Sequence, residues 1–245
     1  MRPTLNSLYR SVVLSHWADW QDFRVKHPRI WALLYQGYRV YQRTRELEYR
    51  RIQRRFRAFT MIPPRQYRDN PALCDSVRHV PGTVVECGTW KGGMSAGMAS
   101  LLGPDRTYYL FDSFDGLPPA GPADRDIWGQ SGTDWQAATI HNDRAPERFA
   151  REAMRRSGAP HVHIQPGWFE QTLPQYDGGP IAVLRADGDW YCSTMETLTH
   201  LYRYVVPGGI IIFDDYYYWE GCSKAVHDFL AQTDARETIH QFRGS

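Results

Sequence analysis

Cysteine is scarce in this 245-residue chain, and the four that occur lie far apart. Cys74, Cys87, Cys192 and Cys222 form no C-x-x-C pair, which speaks against a zinc cluster or a disulfide framework and suits a reducing compartment. Long apolar runs are missing as well: nothing approaches the roughly 18 consecutive apolar residues of a membrane span. Ser11-Val12-Val13-Leu14 is interrupted by Ser15 and His16, so the N-terminus lacks a secretory pattern and the cytoplasm is the expected location. Two nucleotide signatures are also wanting. There is no G-x-x-x-x-G-K-[ST] to cradle a triphosphate, and no correctly spaced G-x-G-x-x-G for a dinucleotide. No internal repeat or low-complexity tract occurs. Acidic residues are short at one end only: residues 1–60 hold 13 Lys/Arg against 4 Asp/Glu, so the net charge of +2 hides a basic head and an acidic body.

What remains is enough for one enzyme-sized domain with an appendage, because 245 residues with 42% hydrophobic content can bury a full core. Residues 1–60 read as an Arg-rich helical extension and residues 61–245 as the main domain. In the extension, Leu34, Tyr38, Tyr41, Tyr49, Ile52, Phe56 and Phe59 recur near helical spacing. Glu46 and Arg50 make a favourable i,i+4 pair, and Met61-Ile62-Pro63-Pro64 ends the pattern. From residue 83 strands alternate with helices. Strands are expected at Thr83–Gly88, Thr107–Asp112, His161–Gln165, Ile181–Arg185 and Ile210–Phe213. Helices are expected at Met94–Leu102, Pro146–Ser157, from Ser193 (through a Ser193/Glu196 capping box) and at Ser223–Gln232. Pro207-Gly208-Gly209 reads as a turn, and residues 115–140 as a long loop lying over a site. The alternation predicts an α/β fold: a doubly wound, mainly parallel sheet with an N-terminal helical extension.

Two places carry chemistry. Glu86-Cys87-Gly88-Thr89-Trp90-Lys91-Gly92-Gly93 joins the first strand to its helix, where glycines admit close ligand approach and the helix offers free N–H groups. Asp112, 20 residues after Gly92, ends the next strand, where a carboxylate can accept both hydroxyls of a ribose. Further on, Asp187-Gly188-Asp189 and Asp214-Asp215 follow the fourth and fifth strands. If those strands are neighbours, four carboxylates converge and repel one another unless a cation intervenes. Hard oxygen ligands favour Mg²⁺, Ca²⁺ or Mn²⁺. Such an ion would acidify and orient a hydroxyl, with one aspartate left over as proton acceptor; spacing leaves open which one.

These residues, taken in order, resemble the macrocin O-methyltransferase family. The resemblance rests on Val84–Gly93, on Asp112-Ser113-Phe114-Asp115-Gly116-Leu117-Pro118, and on Pro166-Gly167-Trp168-Phe169 with Thr172-Leu173-Pro174. Leu184–Asp189 continues it, then Gly208-Gly209 with Asp214-Asp215-Tyr216, and Lys224–Phe229. It implies a class I methyltransferase (Rossmann-like) fold, S-adenosylmethionine as donor, Mg²⁺, and a glycoside or oligosaccharide substrate. By motif position Asp187, Asp214 and Asp215 would hold the metal and Asp189 would be the general base. Glu86, Gly88, Thr89, Asp112, Ser113, Gly167 and Trp168 would hold the cofactor beside Thr60 and Met61, with Trp90, Gly92, Ser95, Phe114 and Asp187 completing the candidate set. The family commonly forms a homodimer or larger homo-oligomer through its N-terminal helices. Ala186 and Trp190 depart from the expected aliphatic positions; Trp190 reads either as a platform for a sugar ring or as a packed aromatic. The shortness of the chain beyond Phe242 puts the last strand of the usual seven-stranded sheet in doubt. A catechol or phenol acceptor, with His141 as an alternative base, is a rival reading. An RNA- or membrane-binding arm is another, but packing of the apolar stripe against protein accounts for the arm without nucleic acid.

Overall fold

The computed structural model describes residues 24–139, 144–235 and 237–242. By internal contacts the chain divides after Arg51. A long helix, α1 (Pro28–Phe56), runs through the division, with a proline at its first position as helix starts prefer. Along it the expected Glu46–Arg50 pair is present, with Nε to Oε1 at 3.0 Å. Tyr49, Ile52 and Phe56 are buried, but Leu34, expected on the same stripe, is exposed, and so are Ile30, Leu33, Val40 and Leu47. No helix among the described residues is long and apolar enough to cross a membrane.

After Phe59, helix α2 (Pro64–Ser76) begins on the second proline of the Pro63-Pro64 pair and tolerates Pro71 inside it. The body that follows is a five-stranded, all-parallel sheet in the order β3-β2-β1-β4-β5. Its strands are β1 (Thr83–Cys87), β2 (Tyr108–Asp112), β3 (Val162–Pro166), β4 (Ile181–Ala186) and β5 (Val205–Phe213). Every residue of β1 and β4 is buried, as expected of central parallel strands. Helix α3 (Gly93–Leu102) packs with α2 and with α5 (Arg148–Ser157). Helices α7 (Tyr191–Leu201) and α8 (Glu220–Thr233) pack together, and α7 also meets the short α6 (Phe169–Thr172). The doubly wound α/β expectation is met.

Three local expectations change. Pro207-Gly208-Gly209 is not a turn but part of β5, whose register against β4 shifts between Ile181 and Val183 to absorb it. Helix α7 starts at Tyr191, two residues before Ser193, with no side-chain cap of its own. The 115–140 stretch is not all loop: helix α4 (Gly132–Thr139) occupies its end. Ser131 and Asp134 cap α4 reciprocally: the Asp134 N–H donates to Ser131 Oγ at 3.2 Å, and that hydroxyl donates to Asp134 Oδ2 at 2.8 Å.

Candidate active site

Strand register decides what meets at the carboxyl edge of the sheet. Cys87 pairs with both Phe111 and Ala186, and Ala186 with Phe213. The ladder runs one residue further, since the Asp187 N–H donates to Cys87 O at 2.8 Å and the Asp214 N–H to Ala186 O at 3.1 Å. Gly88, Asp187 and Asp214 therefore stand side by side. A methyl group at Gly88, where φ is +87°, would overlap the Asp187 carbonyl oxygen, so the first turn admits only glycine there. Strand order reverses about β1, and a cleft of ≈ 860 Å³ opens at that point, the usual ligand position of such sheets.

One wall of the cleft comes from the loops after β1, β2 and β3: Gly88, Trp90, Asp112, Ser113 and Trp168, with Met61 beside them. Asp112 organises this wall. Its Oδ2 accepts the N–H groups of Thr89 and Trp90, and Oδ1 that of Phe114, each at 2.6 Å. Burial raises its pKa against those three donors. Of the other candidate cofactor residues, Thr60, Thr89, Gly92, Phe114 and Gly167 stand beside this wall in sequence but do not line the cleft. Glu86 and Ser95 lie inside the protein: Glu86 is 1% exposed, Ser95 Oγ donates to its Oε2, and Arg185 Nη1 donates to its Oε1 at 2.7 Å. Burial pushes the Glu86 carboxyl up to about 7.

The floor is acidic. One carboxylate oxygen from each of Asp187, Asp214 and Asp215 lies within 4.8 Å of the others. Burial, reinforced by the charges of Asp189, Asp187 and Asp214, holds the Asp215 carboxyl well above the ordinary range, and burial lifts Asp187 to about 6. Asp189 joins them, with φ +58°, its N–H donating to Asp215 Oδ2 at 3.2 Å and its Oδ1 accepting the Trp219 indole N–H at 2.9 Å. Among the described residues four non-glycines have positive φ, and three of them, Trp90, Phe114 and Asp189, lie in the turns that follow β1, β2 and β4. Unfavourable backbone gathered there fits a site where side-chain placement matters more than local stability. His141 lies outside the described residues.

The opposite side of the cleft is aromatic. Trp190, half expected to face a sugar, is fully buried: it donates to Pro118 O at 2.9 Å and packs edge-on against Trp219 with centroids 4.7 Å apart. Trp135, Tyr218 and Trp219 line the cleft instead. The segment before α4 is tied down by Asp124, which is 1% exposed and accepts the N–H of Gly121 at 2.6 Å and of Tyr191 at 2.7 Å. It thereby caps α7 from a distance, in place of Ser193. Asp124→Ala removes the carboxylate acceptor of two N–H groups, on exposed Gly121 and half-buried Tyr191, and should cost about 2–3 kcal/mol. In a thermal melt that is a fall of roughly 4–12 °C; an unchanged midpoint would mean the segment is not anchored there.

Sequence reasoning missed Arg185. It lies on β4 in register with Glu86 and on the same face as Asp187, two residues on. Its only visible sign was a charge inside an otherwise apolar strand.

The profile of the macrocin-O-methyltransferase (TylF) family matches residues 6–243. A demethyldecarbamoylnovobiocin O-methyltransferase of Streptomyces niveus is 36% identical over 171 residues, covering 66% of this chain and 63% of that protein. An 8-demethyl-8-(2,3-dimethoxy-alpha-L-rhamnosyl)-tetracenomycin-C 4'-O-methyltransferase of Streptomyces olivaceus is 34% identical over 188 residues, covering 74% and 69%. Among solved structures, the O-methyltransferase NovP superposes with a TM-score of 0.63 at 32% identity, over 75% of this chain and 78% of that one.

Proposed function

The chain belongs to the macrocin-O-methyltransferase family, and from that premise we propose that it moves a methyl group from S-adenosylmethionine to a sugar hydroxyl of a glycosylated natural product or polysaccharide, with a divalent cation, Mg²⁺, at its acidic floor. The observation that carries this is the meeting of Asp187, Asp214 and Asp215, with Asp189 beside them, in the same cleft as the Asp112 wall. The tetracenomycin relative carries a rhamnosyl group in the name of its substrate, which supports a sugar acceptor.

Each group has a place in this reading. S-adenosylmethionine supplies an electrophilic methyl on sulfur; Gly88, Trp90, Asp112, Ser113, Trp168 and Met61 would bind it. Three hard carboxylate oxygens drawn within 4.8 Å suit Mg²⁺, and the repulsion that adds to burial in raising the Asp215 pKa is what a bound cation would relieve. Bound there, the ion would lower the pKa of an acceptor hydroxyl and orient it. Asp189 accepts that proton, its carboxylate held in place by the Trp219 indole. Trp135, Tyr218 and the largely buried Trp219 give the acceptor end of the cleft an aromatic lining suited to a sugar ring.

The test is isothermal titration of S-adenosylhomocysteine, followed by turnover on glycosides and catechols with Mg²⁺ and with EDTA. Binding of the product, turnover of a glycoside and its loss in EDTA are expected. Undiminished turnover in EDTA would remove the metal role, and turnover of catechols alone would replace the sugar by a phenol.

A further inference from the structure

Arg185 is a fully buried cation, and burying a charge is costly unless neighbours compensate for it completely. Its neighbours do more than compensate. Nη1 donates to Glu86 Oε1 at 2.7 Å and to Asp187 Oδ2 at 2.6 Å, and Nε donates to Asn70 Oδ1 at 3.1 Å. Nη2 lies 2.8 Å from Asp214 Oδ1, a close ionic contact rather than an aligned hydrogen bond. Burial opposes the charge of Arg185, but Asp187, Asp214 and Glu86 together hold it firmly protonated.

The arrangement is directional. Asp187 and Asp214 follow neighbouring strands, and a planar guanidinium takes one oxygen from each. The guanidinium cannot swing away, because Asn70 of α2 holds its Nε and Glu86, itself bonded to Ser95 of α3, holds Nη1. We propose that Arg185 is the positioning residue of the cation site: it fixes the Asp187 and Asp214 carboxylates so that their remaining oxygens, with Asp215, are already set for a divalent ion. This rests on the metal-dependent reading above. A point charge would neutralise the two carboxylates equally well but could not orient both, since a lysine ammonium lacks the planar fork.

The experiment measures Mn²⁺ affinity by electron paramagnetic resonance on the full chain, without donor or acceptor. Arg185→Lys, which keeps the charge and loses the fork, is expected to weaken Mn²⁺ binding about 10–100-fold, as outer-sphere substitutions at metal sites do. Equal or tighter binding in that variant would overturn the positioning role and leave the metal site standing; no Mn²⁺ binding by the unaltered protein would remove both. Should Arg185→Lys fail to fold, Asn70→Ala carries the test, because it preserves every charge and releases only Nε. A loss of about threefold, the worth of one hydrogen bond, is then expected, and unchanged affinity overturns the proposal.

Discussion

Asp215→Asn should abolish turnover while the product of the methyl donor, S-adenosylhomocysteine, still binds nearly as in the unaltered protein. The reason is the position of Asp215 in the acidic floor. It follows the edge strand β5, shares the 4.8 Å cluster with Asp187 and Asp214, and is held well above the ordinary carboxyl range by burial and then by the charges of Asp189, Asp187 and Asp214. An amide there is nearly the same size but brings no charge, so the cluster loses a third of the negative charge on which a divalent ion depends. Cation help with an acceptor hydroxyl is worth several kcal/mol, so the rate should fall by about 10³-fold or more. The cofactor wall is built by Asp112 and the loops after β1 and β2, which Asp215 does not touch in any hydrogen bond. Steady-state rates beside product titration separate the two effects. A variant that kept its rate would exclude Asp215 from the metal set; one that lost product binding equally would mean the whole cleft had rearranged.

Asp189→Asn is the second large effect expected. Asp189 takes a left-handed backbone that asparagine also accepts, so the exchange carries little strain. The asparagine carbonyl can still accept the Trp219 indole N–H now received by Oδ1. What disappears is the capacity to take a proton. General-base catalysis is worth roughly 10²–10⁴-fold, so kcat should fall by that factor while Mn²⁺ and S-adenosylhomocysteine still bind. An unaltered kcat would move the base elsewhere, and His141 would be the next residue to replace.

These two variants also divide the work between the aspartates. Asp215→Asn should lose the cation and the rate together, whereas Asp189→Asn should lose the rate alone. If the pattern came out reversed, the roles of ligand and base would have to be exchanged.

Much of this was legible in the residues themselves. Alternating strand and helix periods located all five strands to within a residue or two at most ends, because central parallel strands are largely apolar, Glu86 and Arg185 excepted, and are bounded by glycine, proline and aspartate. The order of motifs placed Gly88, Asp112, Asp187 and Asp214 each immediately at or after a strand end, and a parallel sheet brings such ends to one edge whatever the details. That Asp187, Asp214 and Asp215 meet at one edge followed from residue type and position alone. The errors share a different cause. Pro207-Gly208-Gly209 looked like a turn because local propensity cannot foresee a shift in register. Ser193 looked like a helix cap because the true partner of the Tyr191 N–H, Asp124, is 67 residues away.

The sequence by itself determined the fold class and the neighbourhood of the site, since both depend on local periodicity and on what must follow a buried strand. Only the tertiary structure decided which side chains face the cleft and which serve it from behind. Glu86 turned inward to Arg185, Trp190 was buried behind the cleft while Trp135, Tyr218 and the largely buried Trp219 line it, and the expected long loop was pinned by Asp124. Each outcome hangs on a pairing between residues distant in the chain, and the energy of burying a charge or an indole is settled by what stands opposite it.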